Sequence, residues 1–563
     1  MKKNIIAGFH SGHDCSFGIL VNGVPYVHAE LERYLRLKEP IGDSLEFLFD
    51  KYDNFEEIRY FTTGIDLWRG GPHNRFPNTW EKAIKISKQN GGQMCVFGHH
   101  QSHAANAFFS SNLEEALIIT IDGGGEEVDN DGRIVSANFT VWRGKDNKIE
   151  RIAVLSDDGL DRSTNIGGFW TQCTKQIFGL SGGYPKGHQA GSVMAMAAIG
   201  DHNIYYDDFI EHLNAARTNS NFDYQKYRSL AEKSDQQAYN IAAALQRATE
   251  ERLKNLIGFY IKKTGLNKIC ISGGVSLNCV FAGKLYDWFK DEIDEVYADP
   301  IPYDAGLTLG SARYLWHHVL ENPRIKWKDN SSSYLGFEYS KDLIVETLSK
   351  YENEIEYKNV DDDSVVDLLI SKKIISVYGG GSESGRRALG NRSILADPRH
   401  GDTRDIVNQR VKHRQWYRPF APSILREHVG DWFEKDIDSP YMSFAIKFKK
   451  EKQEQVPAVV HFDGTARLQT VTKNDNQWYY NFINRFYKKT GVPIVLNTSF
   501  NDREPIVEFP EHAIKCFLGT EIDYLYFYET GTLVWRKSAI KENFKLAQSY
   551  IDSIDCSLRK NYK

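Results

Sequence analysis

The sequence predicts a mixed α/β protein, in which short strands alternate with helices. Apolar runs at residues 5–9 and 17–21 flank a turn of Gly, His and Asp, and those at 116–121 and 269–271 lead into glycine-rich turns. Between them lie helical patterns such as residues 237–257. Apolar strands that end in glycine-rich turns favour an α/β architecture with ligand sites at the strand ends.

The length of 563 residues predicts at least two domains, since a typical domain has about 150 residues. A polar stretch at residues 326–333 interrupts the pattern, and Gly336 opens a second α/β alternation that continues to about residue 535. We therefore predict one domain at residues 1–328 and another at 335–563, which ends in an amphipathic helix at 540–551. The sequence contains no visible internal repeat.

Composition excludes several classes of function. The net charge of −5 provides no chain-wide positive field for a polyanion, so any contact with nucleic acid would be local. The seven cysteines include no Cys-x-x-Cys pair, which argues against a disulfide scaffold and a thiolate zinc site. No apolar run approaches the roughly 18 residues of a membrane span, so we expect a soluble, cytoplasmic protein without a membrane partner.

The strongest local motif is the sequence from Gly98 to His103, which contains His99 and His103 four positions apart. On a helix these imidazoles project from one face, a geometry that can chelate a divalent metal. Asp122 after an apolar run and Asp304 in a turn could complete a two-His, two-carboxylate set, which suits Fe²⁺ or Zn²⁺ better than Mg²⁺. The alternative is a solvated or capping histidine cluster with two ordinary turn carboxylates.

Two glycine-rich segments are candidates for binding phosphate through backbone amides: Gly123 and Gly124 in one, Gly273 and Gly274 in the other. Either could equally be an ordinary strand-to-helix turn. In the first hairpin turn, His13 beside Asp14 could serve as a general base or simply form a turn pair.

The second half carries cationic residues interleaved with apolar and small ones, a pattern that indicates a folded anion pocket. Arginine can bind phosphate with two parallel hydrogen bonds and lysine supplies a point charge, so a triphosphate or acyl phosphate is a plausible ligand. Surface ion pairing is the alternative. The residues concerned are Arg387, Lys412, Arg414 and Arg418, with Arg467, Asn497 and Ser499 as residues that could complete the pocket or cap turns.

Together these motifs resemble the O-carbamoyltransferase family, which includes the tobramycin and cephamycin carbamoyltransferases and NodU. The resemblance covers nearly the whole chain and preserves the order of the motifs. The motifs are Gly-x-x-x-x-His-Asp, His-His-x-x-His, Ser-Gly-Gly-Val, Arg-Ala-Leu-Gly-Asn-Arg-Ser, Arg-Pro-Phe-Ala-Pro, Asp-Gly-Thr-Ala-Arg and Asn-Thr-Ser-Phe-Asn.

The resemblance implies an actin-like ATPase (TsaD-like) N-terminal domain followed by a YrdC-like C-terminal domain. The C-terminal domain would join carbamoyl phosphate and ATP, the latter with Mg²⁺, into carbamoyl adenylate, and the N-terminal domain would transfer the carbamoyl group to a hydroxyl. By motif position, a divalent metal, with iron favoured over zinc, would be bound by His99, His103, Asp122 and Asp304. The N-terminal domain would hold the nucleotide at Gly123, Gly124, Gly273, Gly274 and Asn278, and His13 with Asp14 would assist deprotonation of the acceptor. ATP and carbamoyl phosphate would be held by Arg387, Lys412, Arg414, Arg418, Arg467, Asn497 and Ser499.

The acceptor stays open: a natural product or sugar, or a 5-hydroxymethylpyrimidine in a nucleotide or in DNA. Alternative functions are threonylcarbamoyl-type transfer to tRNA and an actin-like-fold phosphotransferase, and a homodimer is reasonable for this size. The chain also departs from the family pattern. Gly381 replaces an arginine that Arg386, at the usual proline position, could compensate for, and Ser192 and Asn240 replace charged residues.

Overall fold

The computed structural model describes residues 3–129, 131–156, 165–215, 222–325 and 333–537. The predicted helix at 540–551 and most of the predicted boundary at 326–333 lie outside these residues. The described chain is mixed α/β, as predicted. Among its helices, none is both long enough and apolar enough to cross a membrane.

The first sheet is built from the first 97 residues, and its described strands have the order β3-β2-β1-β4-β5. Strands β1 to β3 pair antiparallel as consecutive hairpins, whereas β4 and β5 join β1 in parallel. Every residue of β1 is buried, as expected for a strand covered on both faces. The strands are β1 (Ile5–His10), β2 (Ser16–Val21), β3 (Val24–Glu30), β4 (Tyr60–Gly64) and β5 (Met94–Phe97).

The second sheet has the same topology, with the described order β12-β11-β6-β7-β8. Its first three strands are also antiparallel neighbours, and two later strands also extend it in parallel. This duplication, which the sequence does not reveal, agrees with the predicted actin-like domain. The strands are β6 (Glu115–Val128), β7 (Ile134–Lys145), β8 (Lys148–Ser156), β11 (Lys268–Ser272) and β12 (Glu295–Ala298), and the two-stranded ribbon β9 (Gly182–Gly183) with β10 (Gly187–His188) precedes the last two.

One sequence prediction is wrong at β6. The strand was expected to end before a turn at Gly123, but it continues to Val128 with an irregularity between Ile121 and Gly125. Gly124 allows this bulge with its φ of +129°, and Gly125 lets the strand approach the His99 ring, since a Cβ there would lie 2.3 Å from that ring. Asp122 therefore lies at a bulge inside a long strand rather than at a strand end.

Two helices bring the ends of the two sheets together. Helix His99–Ser110 follows β5 but packs on β6 and β11 of the second sheet, and helix Leu307–Arg313 follows β12 but packs on β1, β2 and β4 of the first. The two helices also pack against each other. This exchange places the residues that follow the last strand of each sheet side by side.

The other described helices of this half flank the sheets. They are Leu31–Leu35, Ser44–Lys51, Pro72–Arg75, Pro77–Gln89, Ile166–Gln172, Ala190–Ala197, Tyr206–Asn214, Tyr224–Ala231, Asp235–Thr264 and Cys279–Trp288. The predicted helical pattern at 237–257 lies within the longest of them, Asp235–Thr264.

The second half folds around a mixed sheet with the described order β13-β21-β20-β14-β15-β19-β16-β18-β17. Its strands are β13 (Ile355–Asn359), β14 (Ile375–Tyr378), β15 (Arg392–Ala396), β16 (Ala421–Leu425), β17 (Phe444–Lys447), β18 (Thr465–Val471), β19 (Ile494–Ser499), β20 (Tyr524–Phe527) and β21 (Thr532–Arg536). Its helices are Lys341–Lys350, Asp362–Ile370, Thr403–Arg410, Val429–Trp432, Lys450–Gln453, Gln477–Thr490 and Pro510–Leu518.

The two halves share a continuous apolar core. Helix Cys279–Trp288 of the first half packs on β17 of the second, where the Tyr286 and Phe444 rings lie 5.8 Å apart. Because β17 pairs with β18, the N-terminus of this helix comes close to Arg467. The domain limits 1–328 and 335–563, like the YrdC-like assignment, remain predictions.

Candidate functional site

The four residues predicted as metal ligands form one buried cluster. One ligand atom from each of His99, His103, Asp122 and Asp304 lies within 4.8 Å of the others. His103 Nε2 lies 3.2 Å from Asp122 Oδ2 and 3.7 Å from Asp304 Oδ1, and His99 Nε2 lies 3.6 Å from the same Asp304 oxygen. Both histidines come from the first turns of helix His99–Ser110, which the packed helices bring beside Asp304.

The unpartnered atoms of this cluster fit a metal ion. Among the described residues, His99 Nε2 and His103 Nδ1 are buried without a hydrogen-bond partner, which is costly unless another group binds them, and His103 Nε2 faces only the Asp122 and Asp304 carboxylates. Burial would raise the pKa of Asp304, but His13, His99 and His103 outweigh it and hold that pKa well below its usual range. Two imidazoles and two carboxylates at this spacing form a donor set for a divalent transition metal.

Surrounding contacts orient the cluster. The Gly274 amide donates to Asp122 Oδ2 at 2.8 Å, and the carboxylate of Glu127 accepts from the Gln101 amide in the first turn of the histidine helix at 2.9 Å. The neighbouring His100 is different, because its two ring nitrogens contact Thr120 Oγ1 at 2.6 Å and the Ala137 carbonyl at 3.0 Å. His100 is thus a structural residue, although it belongs to the same motif.

His13 and Asp14 lie in the β1–β2 turn, next to the cluster. His13 Nδ1 lies 3.0 Å from Asp14 Oδ2, and its Nε2 lies 3.4 Å from Asp304 Oδ2. The Asp304 carboxylate raises the pKa of His13 to about 10, and more than half of the His13 side chain is exposed. Sequence reasoning missed His10, whose Nε2 lies 3.7 Å from Asp304 Oδ2; its position three residues before His13 in the same hairpin was the available signal.

The predicted cationic residues of the second half form a second cluster. Among the described residues, Arg387, Arg414, Arg418 and Arg467 have no ion pair with a carboxylate. Burial and then the neighbouring Arg467 lower the pKa of Arg387 to about 9 and that of Arg418 to about 10. Burial likewise lowers the pKa of Arg467. A group of partly buried cations that lacks paired carboxylates is a candidate anion site.

Lys412 and Ser499 lie at the edge of this cation cluster, whereas Asn497 does not line the cavity described below. Lys412 Nζ donates to the Asn501 carbonyl at 2.6 Å and to the Ser499 carbonyl at 3.0 Å, and burial, then Arg414, lowers its pKa to about 7. Asn497 is buried, and its amide donates to the Ala388 carbonyl at 3.1 Å and to Gln469 Oε1 at 2.9 Å. Asn497 therefore supports the backbone next to Arg387.

A cavity of about 2270 Å³ in the described part of the chain connects the two clusters. This volume exceeds the roughly 300–1,000 Å³ of common small-molecule sites. Of the predicted site residues, those lining the cavity are His13, Asp14, Asp122, Gly123, Gly124, Gly274, Asn278, Asp304, Arg387, Lys412, Arg414, Arg418, Arg467 and Ser499.

The predicted nucleotide residues of the first half have other local roles. Gly273 does not line the cavity; its φ is +87°, and a Cβ there would lie 2.2 Å from the Ile121 carbonyl oxygen. The Gly274 amide already binds Asp122, so it is not free for a phosphate. Asn278 caps helix Cys279–Trp288 and donates to Gln246 Oε1 at 2.8 Å.

The departures from the family pattern have structural explanations at two positions. A Cβ on Gly381 would lie 2.7 Å from the Gly336 carbonyl oxygen, so a larger residue does not fit. Arg386 does not replace the missing arginine, because it pairs with Asp14 at 2.9 Å and with Glu39 at 2.8 Å.

The other two departures are Asn240 and Ser192, of which only Ser192 lines the cavity. Asn240 Oδ1 accepts from the Asp201 amide at 2.9 Å, outside the cavity lining. Ser192 lines the cavity, and its buried hydroxyl has no partner among the described residues.

Two protein-family models match most of the chain. The model for the carbamoyltransferase N-terminus matches residues 55–313, and that for the carbamoyltransferase C-terminus matches residues 366–533. The nodulation protein NolNO of Sinorhizobium fredii (strain NBRC 101917 / NGR234) is 34% identical over 453 residues, which cover 76% of this chain but only 62% of that protein. The chain thus spans less than two thirds of this relative.

Two more distant similarities accompany these matches. The 3'-hydroxymethylcephem-O-carbamoyltransferase of Amycolatopsis lactamdurans is 29% identical over 379 residues, covering 64% of this chain and 67% of that enzyme. The crystal structure of full-length HypF in its phosphate- and nucleotide-bound form superimposes with a TM-score of 0.34 and 16% identity, covering 57% of this chain and 56% of HypF. The two family models together cover well over half of the sequence, and the chain therefore belongs to the carbamoyltransferase family.

Proposed function

We propose that this protein is an ATP-dependent O-carbamoyltransferase that uses carbamoyl phosphate. The observation that carries the proposal is the cavity, which joins a partly buried cation cluster without paired carboxylates to a buried His/Asp cluster whose donor atoms fit a metal ion. The name of the cephem relative describes carbamoyl transfer to an oxygen, and membership of the family supports the same chemistry here. Neither cluster alone would suffice. Activation would require cations that hold phosphates, whereas transfer would require a general base and a metal ion beside the acceptor.

Activation would take place at the cation cluster. Carbamoyl phosphate and water give carbamate and inorganic phosphate; a carbamate oxygen then attacks the α-phosphorus of Mg²⁺-bound ATP, and pyrophosphate leaves. The product is carbamoyl adenylate. Arg387, Arg418 and Arg467 would hold the phosphates by charge-assisted hydrogen bonds, with Lys412, Arg414 and Ser499 beside them and Asn497 supporting Arg387.

Transfer would take place at the His/Asp cluster. The acceptor hydroxyl attacks the carbamoyl carbon, AMP leaves, and the hydroxyl proton passes to His13, which Asp14 orients through the 3.0 Å contact to Nδ1. His13 accepts a proton only when neutral, which requires the charge of Asp304 to be compensated. The cluster would hold a divalent metal, Fe²⁺ rather than Zn²⁺ on the family pattern, whose positive charge stabilises developing negative charge when bound.

The cavity suits an intermediate that hydrolyses in water. Its volume accommodates a nucleotide and an acceptor together, and residues from both halves line it. Gly123, Gly124 and Asn278 line the first-half side, where the adenylate would lie. A closed path between the sites would protect carbamoyl adenylate from water.

The acceptor would be an alcohol of a natural product or sugar, or a hydroxymethylpyrimidine in a nucleotide or DNA. The net charge of −5 favours a small acceptor or one held locally. We further propose a cytoplasmic protein that can form a homodimer.

The test is incubation of the purified protein with ATP, Mg²⁺, Fe²⁺ and ¹⁴C-labelled carbamoyl phosphate, with a panel of aminoglycosides, nucleosides and hydroxymethylated DNA. We expect AMP and pyrophosphate that depend on carbamoyl phosphate, and label in one class of acceptor. Release of ADP without carbamoyl phosphate would identify a phosphotransferase instead. Label in tRNA alone would contradict the acceptor classes proposed here.

A further inference from the structure

Arg386 lies in a loop of the second half yet binds only first-half groups in the described ion pairs. Its Nη2 lies 2.9 Å from Asp14 Oδ1, its Nη1 lies 2.8 Å from Glu39 Oε1, and its guanidinium carbon lies 4.5 Å from the centre of the Tyr303 ring. Asp14 is the residue that contacts His13 Nδ1. The next residue in the chain, Arg387, belongs to the cation cluster.

The backbone of the same loop is also held by the first half. The Gly385 amide donates to Glu30 Oε1 at 3.1 Å, and the Gly385 carbonyl accepts from Arg33 Nη2 at 2.7 Å. The side chains of Glu30 and Arg33 are almost fully buried. Three consecutive residues of this loop thus have different neighbours. Gly385 binds Glu30 and Arg33 of the first half, Arg386 binds Asp14 of the His13–Asp14 turn, and Arg387 belongs to the cation cluster.

Buried charge explains why this link must be an arginine. The side chains of Asp14 and Glu39 are each 2% exposed, and a buried carboxylate without a cation is costly. The planar guanidinium can serve both carboxylates with different nitrogens, whereas the compact ammonium of lysine cannot present such a fork.

We propose that Arg386 is a positioning residue that fixes the Arg387 loop and the His13–Asp14 turn in one geometry, so that the activated carbamoyl group is transferred rather than lost to water. The inference rests on the proposed function. It assigns Arg386 no contact with substrate. Its effect is on the fraction of activated groups that reach the acceptor.

The test compares Arg386→Lys with wild type and with a matched control, Arg426→Lys. Arg426 also bridges two carboxylates, Asp436 and Asp438, but these are exposed and it does not line the cavity. Two quantities are measured: pyrophosphate release without acceptor, and carbamoylated product formed per AMP. We expect R386K to lower product per AMP by about tenfold while pyrophosphate release stays within about threefold, since misplacement affects the transfer geometry; R426K should change neither.

Hydrogen exchange provides a readout independent of activity. Residues 10–16 and 381–387 should both exchange faster in R386K and neither should do so in R426K. If R386K does not fold, Glu39→Gln removes one carboxylate and keeps the Arg386–Asp14 pair, and about a threefold loss in product per AMP is expected.

An unchanged product-to-AMP ratio, or an equal fall in both half-reactions, would overturn the positioning role. If the wild type releases no AMP, the proposed function fails, and the exchange experiment still decides whether Arg386 links the two segments.

Discussion

The two charge clusters on the cavity differ in burial and in the counter-charges beside them: the His/Asp cluster is buried, and the arginine cluster is partly buried. In the first half, carboxylates and histidines contact each other, and the histidines hold the pKa of Asp304 down despite burial. In the second half, the four arginines of the cation cluster form no ion pair with a carboxylate of the described residues. Burial and the repulsion by Arg467 lower the pKa of Arg387. The first cluster thus offers donor atoms that fit a metal ion, and the second offers hydrogen-bond donors for an anion. Ligand binding should therefore stabilise both, but removal of a charged residue should affect them differently.

The largest effect should come from His103→Ala, which breaks the first cluster. We expect bound metal below a tenth of wild type and carbamoyl transfer reduced by about 10³-fold, while pyrophosphate release stays within about threefold. Metal analysis and the two partial reactions measure this. His100→Gln is the control: its partners are Thr120 and Ala137, so stability should fall while metal content is kept. Full metal content in H103A would contradict the ligand assignment.

The next effect should come from Arg467→Met in the second cluster. Loss of one phosphate-binding guanidinium should reduce pyrophosphate release by about 10²-fold. Arg467 lies near Arg387 and Arg418, and its buried Nε has no hydrogen-bond partner in the described part of the chain, so the free energy of unfolding without ligands should rise by about 1 kcal/mol.

Denaturant unfolding of ligand-free R467M tests whether the free energy of unfolding rises although pyrophosphate release falls. The matched control is Arg399→Met, which removes the guanidinium 2.7 Å from the buried Asp397 and leaves only His400 Nε2 at 3.7 Å, so it should lower the free energy of unfolding by about 3 kcal/mol. A similar destabilisation in R467M would mean that the cluster is not repulsive.

The smallest effect concerns protons at Lys412, whose pKa is about 7 in the folded protein. At pH 8 the amine is mostly neutral, and a bound triphosphate favours its charged form, so ATP binding should take up a substantial fraction of one proton. Calorimetric titrations in buffers of different ionisation enthalpy measure this uptake. Lys412→Met should abolish it, and equal uptake in that variant would assign the proton elsewhere.

The same shift has a consequence for stability. An unfolded lysine has a pKa of about 10.4, so between pH 7 and about pH 10 the unfolded state binds more protons and the free energy of unfolding rises with pH. Below pH 7 both states are protonated and the contribution is constant. The titratable groups around Lys412 are Arg414 and Lys38, which lower its pKa, and Cys516 and Asp502, which raise it. K412M should remove this contribution to the rise in the free energy of unfolding above pH 7.

Local patterns predicted much of the first cluster. The four-residue spacing of His99 and His103 indicated one helix face, and the structure places both beside Asp122 and Asp304. Asn497 was harder to place, because a strand residue after an apolar run can point into a pocket or behind it. Its neighbours Ala388 and Gln469 lie 109 and 28 residues away, so only the pairing of strands decides which.

By itself, the sequence determined the α/β class, the family and the residue types of both clusters, because these follow from periodicity, spacing and motif order over short stretches. Only the tertiary structure decided that β6 continues past Asp122, that the Gly274 amide binds that carboxylate and that Arg386 faces Asp14, 372 residues earlier. Such contacts join residues far apart in the chain. Their partners are selected by how helices and sheets pack, and no local pattern records that choice.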